Sequence, residues 1–162
     1  MAKVLLVYYS RTGYTASIAH ELADASGWDV EQIEDRHSRT GHLGFLRSLA
    51  DVSFGRHAPI KPAQKNPADY ALLVLGAPVW MGRLSSPVRS YIAAQREHFP
   101  RLAFFCTYGG RGAERAAREV TTLAGRPLVA TLAITDAEID QARYWGRLGA
   151  FQKQLAALPA TG

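Results

Sequence analysis

Short apolar runs alternate along this chain with longer stretches in which apolar residues recur every three or four positions. "KVLLVYY", "DYALLVLGAP", "RLAFFCTYG" and "PLVATLAIT" are the runs, rich in Val, Leu and aromatics, and "WDVEQIE" is a weaker, alternating one. Their length and composition predict five strands. Between them, residues 14–25 place Ile18, Ala19 and Leu22 on one helical face, residues 87–95 place Val88, Tyr91 and Ile92, and Ala113–Ala124 places Ala116, Ala117, Val120 and Leu123. The last stretch opens with Thr135 and Glu138 in capping-box spacing. It then carries Ile139, Ala142, Trp145, Leu148, Phe151, Leu155 and Leu158 at helical spacing, with Gly146 and Gly149 weakening its middle.

Strands that are apolar throughout are buried on both faces, and strands alternating with helices imply a parallel sheet covered by those helices. The expected architecture is therefore an α/β three-layer, doubly wound sandwich with a five-stranded parallel sheet. The connection between the second and third strands, residues 36–69, is the long one. It is expected to hold a helix near 42–52, with Leu43, Leu46, Leu49 and Ala50 inward, followed by the turn-rich "HAPIKPAQKNPAD".

With 162 residues, 48% of them hydrophobic, the chain has enough material for one well-buried core and too little for two, so residues 1–162 are expected to form one domain. No apolar run approaches the roughly 20 residues of a membrane span. The start "MAKVLLVYYSR" turns polar too soon for a cleaved signal, so a soluble, cytoplasmic protein is expected. Cys106 is the only cysteine, which excludes an intramolecular disulfide and a thiolate metal cluster; inside "LAFFC" it is expected to be packing.

The net charge of +5 changes the picture only through its placement. Arg36, Arg39, Arg47, Arg56, Lys61 and Lys65 stand against one acid, Asp51, so this segment carries the whole excess and the remaining chain is neutral. His37, His42 and His57 lie there too. That pattern is a solvated basic insertion, or a docking surface for an anionic partner or nucleotide phosphate, and it does not suit a nucleic-acid-binding face.

In doubly wound folds ligands sit beyond the carboxyl ends of the strands, where strand order reverses. Three strand ends carry unusual sequence: "SRTGYT" after the first, "GAPVWMGRLSS" after the third and "TYGGRGA" after the fourth. In the first, Ser10, Thr12 and Thr15 supply hydroxyls, Gly13 permits close backbone approach, and the amides opening the next helix point into the loop. One helix cap needs one hydroxyl. Three around a glycine suit a phosphomonoester held without lysine. There is no GxxxxGK[ST] and no GxGxxG after the first strand, which excludes a nucleoside triphosphate loop and a dinucleotide fingerprint. Gly76 and Ala77 stand where a phosphoacceptor carboxylate would end the third strand, and Arg111 falls one position short of the Cys-x5-Arg phosphatase spacing from Cys106.

The stretch "LVYYSRTGYTASIAHEL" resembles the phosphate-loop signature of the flavodoxin family, and the other two loops resemble its flavin-flanking segments. The resemblance covers most of the chain, residues 36–69 least. It implies the flavodoxin-like strand order 2-1-3-4-5 with FMN at the switch point. It further implies that Ser10, Arg11, Thr12, Gly13, Tyr14 and Thr15 hold the FMN phosphate, partly through backbone amides. Pro78, Val79, Trp80, Met81 and Gly82 would then line one side of the isoalloxazine ring, and Thr107, Tyr108, Gly109, Gly110 and Gly112 the other. Trp80 and Tyr108 are the stacking candidates. No catalytic side chain and no metal ligand is implied.

Two functions follow from the resemblance: an electron carrier working between redox partner proteins, or an FMN-dependent oxidoreductase of the NAD(P)H:quinone or protoporphyrinogen oxidase type. A flavin-free interaction module is disfavoured by three intact loops. Arg83 and Arg111, in the ring-flanking loops, lean toward the oxidoreductase, because a cation beside the ring favours its fully reduced anion and two-electron chemistry. The fifth strand passes almost directly into the last helix, as in short-chain flavodoxins. Direct use of NAD(P)H would then rely on the basic segment from Arg36 to Lys65 as its docking surface.

Overall fold

A computed structural model of the protein describes residues 2–36, 43, 46 and 57–159. In chain order the elements are β1 (Val4–Tyr8), α1 (Tyr14–Ser26), β2 (Asp29–Gln32), β3 (Leu72–Trp80), β4 (Arg83–Leu84), α2 (Ser86–Gln95), β5 (Arg101–Tyr108), α3 (Ala113–Ala124), β6 (Leu128–Thr135), α4 (Asp136–Asp140) and α5 (Trp145–Ala156). The parallel sheet runs β2-β1-β3-β5-β6, and the two-residue β4 folds back antiparallel on the end of β3. Counting the parallel strands alone, this is the expected order 2-1-3-4-5, with its reversal between β1 and β3.

Successive residues of the inner strands enter opposite layers, which is why those strands carry no polar alternation. Leu5 and Val7 of β1, Leu73 and Leu75 of β3 and Phe104 of β5 pack with Val88 and Ile92 of α2 and Val120 of α3. Leu6, Val74 and Phe105 point the other way, onto Ile18 and Leu22 of α1 and Leu148 and Phe151 of α5. Both faces of the sheet are thereby covered.

Two expectations are corrected. Leu43 and Leu46, expected inward, are helical and 83% and 58% exposed. With α1 and α5 on one face and α2 and α3 on the other, the inner strands are covered without them. Leu49, Ala50 and the rest of the expected 42–52 helix lie outside the described residues. The final helix is two helices, α4 and α5. The capping box of Thr135 and Glu138 opens α4, but Ala142 adopts φ 53°. Its amide donates to the Ile139 carbonyl at 3.0 Å and that of Arg143 to the Glu138 carbonyl at 2.9 Å. This is a Schellman closure with alanine at the left-handed position, so the break falls there and the two glycines stay inside α5.

Where the long connection returns, the Glu31 carboxylate accepts from the amides of Gln64 and Lys65 at 2.7 and 3.0 Å, Lys61 pairs with Glu34, and Arg36 Nε donates to the Ile60 carbonyl. Two basic residues of the basic segment thus tie its returning end to the stretch that follows β2.

Cys106 on β5 is 2% exposed and its thiol is pushed up to about 12 by burial. The thiolate is the reactive form, so an aromatic disulfide reagent at pH 8 is expected to leave the native protein unmodified and to react at once in urea; rapid labelling of the folded protein would contradict the packing described.

Candidate functional site

The loop from Ser10 to Thr15 joins β1 to α1 at the carboxyl edge of the sheet. Gly13 is the N-cap of α1 with φ 102°, and no side chain caps the helix. Ser17 donates to the Gly13 carbonyl, so the amides of Tyr14, Thr15 and Ala16 are the helix-opening donors that lack an intrahelical acceptor. The amide of Gly13 donates to Ser10 Oγ at 3.1 Å, leaving the Ser10 hydroxyl proton directed elsewhere. Thr12 is exposed. Thr15 is buried and shares a 2.7 Å hydrogen bond with Thr107 Oγ1, and Tyr14 Oη donates to both carboxylate oxygens of Asp140 at 3.0 Å. Carboxylate contact raises the Tyr14 phenol above its ordinary range. Tyr14 therefore offers the loop its amide and not its phenol.

The second and third predicted loops face each other across one groove. Pro78, Val79 and Trp80 complete β3, and Met81 and Gly82 form the turn into β4 with φ 50° and 74°. Two consecutive positive φ values are what a type I′ hairpin turn requires. Opposite stand Thr107 and Tyr108, ending β5, and the glycines at 109, 110 and 112 before α3. A Cβ on Gly112 would lie 2.4 Å from the Gly82 Cα. The two loops thus meet backbone against backbone, and only glycine allows it. The groove they enclose measures about 480 Å³ and is lined by Val79, Met81, Gly82, Gly109, Gly110 and Arg111.

Between this groove and the β1–α1 loop runs a narrow cleft of about 90 Å³, walled by Arg11, Thr12 and Tyr14 on one side and by Trp80, Thr107 and Tyr108 on the other. Trp80 is 9% exposed, meets Tyr9 edge-on at 5.7 Å and lies under the Arg11 guanidinium at 5.6 Å. Its faces are largely occupied, which leaves the half-buried Tyr108 as the more accessible aromatic. Asp136, the first residue of α4, closes the cleft. Pattern reading missed it: the capping box around it absorbs attention, and the usable signal is an acid placed directly after the last strand on the ligand edge.

Arg83 does not reach over the groove. Its Nε lies 3.3 Å from Glu119 Oε1, whose other oxygen is 3.2 Å from Nη2 of Arg89, with Arg115 at 3.8 Å. Arg89 is only 4% exposed, and burial lowers its affinity for the proton against the opposing pull of Glu119. The cluster binds β4, and with it the Met81–Gly82 turn, to α2 and α3. A larger cavity, about 520 Å³, opens at the other end of the sheet near Val4, Trp28, Leu72 and Leu155, and holds none of the predicted site residues.

Replacing Glu119 with Gln would strand the buried Arg89 charge, and an unpaired buried charge costs about 3 kcal/mol. Urea unfolding of Glu119→Gln is expected to show that loss, whereas Arg118→Gln, which removes an exposed 4.0 Å pair with Glu114, should shift stability by about 0.5 kcal/mol or less. Equal effects would contradict the role given to Glu119.

No family model matches the chain. Among solved structures it is similar to a flavoprotein of Lactobacillus acidophilus NCFM in complex with FMN, at 18% identity, covering 87% of this chain and 98% of that one with a TM-score of 0.73. A candidate flavoprotein from Bacteroides eggerthii DSM 20697 is 22% identical, with 93% and 98% covered and a TM-score of 0.75. The two-electron reduced flavodoxin of Megasphaera elsdenii is 20% identical, with 92% and 97% covered and a TM-score of 0.56. Together with the strand order and the helices on both faces, these likenesses establish that the chain has the flavodoxin-like fold.

Proposed function

We propose that this protein binds FMN and works as an electron-transfer flavoprotein, passing electrons between protein partners. The observation that carries this reading is the alignment, along one sheet edge, of an uncapped helix N-terminus with spare hydroxyls, a narrow cleft and an open groove. Those features match, in order, a phosphate, a linker and a planar ring. The donor set suits a phosphate: neutral amides and hydroxyls with the positive end of α1 behind them, and Arg11 adjacent. The groove volume is ordinary for a small-molecule site. FMN, when bound, supplies reversible uptake of electrons at its ring. The chain's part is to hold it: Ser10, Thr12 and the opening amides of α1 at the phosphate, Tyr108 and the Met81–Gly82 turn at the ring. The fold likeness to an FMN complex supports the same reading.

Hydrogen bonds to a charged group are each worth about 1.5–3 kcal/mol, so Ser10→Ala and Thr12→Ala are each expected to weaken FMN roughly tenfold or more in a fluorescence-quenching titration. Riboflavin, which lacks the phosphate, should be held equally by parent and variants. Parallel losses for both ligands would contradict placement of the phosphate in this loop.

A second reading, direct oxidation of NAD(P)H with transfer to a quinone-like acceptor, draws support from Arg111, which lines the groove on the ring side. Arg83, in the other ring-flanking loop, is held by Glu119 and adds no such support. The carrier reading predicts that NADPH under anaerobic conditions leaves the visible bands of the FMN-loaded protein unbleached. Rapid bleaching, slowed in Arg111→Gln, would favour the oxidoreductase instead.

A further inference from the structure

At the amino edge of the sheet the fold encloses a cavity of about 520 Å³ that the FMN reading leaves without a use. It lies where α1 and α5 end and where β1 and β3 begin. Leu72, which lines it, opens β3, and Trp80, which walls the narrow cleft, closes that strand. At a rise of about 3.3 Å per residue the two places stand about 26 Å apart. The walls are mainly apolar. Leu72 and Leu155 reach the cavity from the buried core, and the half-buried Val4, Trp28 and Leu158 pack onto the same cluster while lining it. Trp28 is set there by the end of α1: Gly27 turns the chain at φ 66°, and the Trp28 amide donates to the Ala23 carbonyl at 3.2 Å. Gln152 Nε2 donates to Ser26 Oγ at 3.3 Å, which ties α5 to α1 along one wall. Fixed elements thus frame the space, and its volume is that of a small-molecule site.

Charge decides what kind of molecule suits it. The charged residues that line the cavity are Arg101 and Lys153, and no carboxylate joins them. Arg101 Nη1 donates to the Pro159 carbonyl at 2.8 Å, the one bond its guanidinium makes among the described residues, although a guanidinium carries several more N–H donors. Lys153 meets no carboxylate among the described residues. Its place in the last turn of α5 suits the negative end of that helix. Arg101 opens β5 and holds only a carbonyl, so the helix end does not account for its charge. A neutral apolar molecule would leave both cations unused, and a cationic one would be repelled. An apolar body that ends in an anion uses the walls and the rim together.

The geometry points to a second binding site, at the amino edge of the sheet, for an aliphatic carboxylate: its chain lies against Trp28, Leu72 and Leu155, and its head group is held by Arg101 and Lys153. Burying the chain supplies most of the affinity, since each methylene removed from water is worth a several-fold gain. The two cations choose the head group. The site does not depend on the flavin and stands whether or not FMN binds.

The test is isothermal titration of decanoate, decanol and decyltrimethylammonium, all below micelle-forming concentrations, into the parent and three variants checked for native circular dichroism. Hydrogen bonds to a charged group are strong enough that decanoate is expected to bind the parent about tenfold more tightly than decanol, with the ammonium weakest. The double variant Arg101→Gln/Lys153→Gln should erase that preference and keep the binding of decanol. Ala156→Trp and Ala25→Trp, which replace exposed lining alanines on the α5 and α1 walls with a bulky indole, should each abolish uptake of decanoate. Equal binding of the three probes, a preference that survives in the double variant, or uptake unchanged in both tryptophan variants would overturn the inference. So would a parent that takes up no decanoate; a dimer in sedimentation velocity would then assign the cavity to a second copy of the chain.

Discussion

Burial of the parallel sheet on both faces is the constraint from which the rest follows. Once α1 and α5 cover one face and α2 and α3 the other, the inner strands make no lateral contact with water. Chemistry is confined to the strand ends. At the carboxyl edge the chain leaves each strand and enters a helix, so helix-opening amides gather there, and the reversal of strand order between β1 and β3 parts the connections into a crevice. The uncapped start of α1 is a consequence of this geometry. A side-chain cap would silence the donors that make the edge useful to an anion.

A second constraint shapes the groove. The Met81–Gly82 turn and the loop before α3 touch through the backbones of Gly82 and Gly112. Glu119 secures the same hairpin from behind by gathering Arg83, Arg89 and Arg115. A rigid scaffold therefore presents a short turn whose one large side chain, Met81, is 63% exposed. Rigidity behind and exposure in front suit a site that holds a planar group while leaving one edge open to a redox partner. Arg83 illustrates how a guanidinium that sequence places in a ring-flanking loop can be turned toward a carboxylate thirty-six positions away.

The inner strands, their parallel pairing and helices α1 to α3 were legible because burial on two faces leaves an unbroken apolar signature and amphipathic helices leave a periodic one, whereas the strand order followed from the family resemblance alone. The three loops were legible as chemistry because hydroxyls and glycines there exceed what turns and caps require. What pattern could not show was how side chains divide their bonds: that Thr15 turns to Thr107, Tyr14 to Asp140 and Arg83 to Glu119. Nor does period alone reveal the αL alanine that splits the last helix, since Ile139 to Leu158 keeps helical spacing across the break. The outward Leu43 and Leu46 mark the same limit, because helical periodicity names a face without saying that a surface is available to cover it. That Asp136 borders the cleft depends on loops distant in sequence meeting there.

The most direct measurement is the identity of what the purified protein carries. The visible spectrum should show oxidised flavin bands, or acquire them on reconstitution with FMN, and mass spectrometry of the ligand released by denaturation should return FMN. A colourless protein that cannot be reconstituted with FMN would contradict the account at its centre.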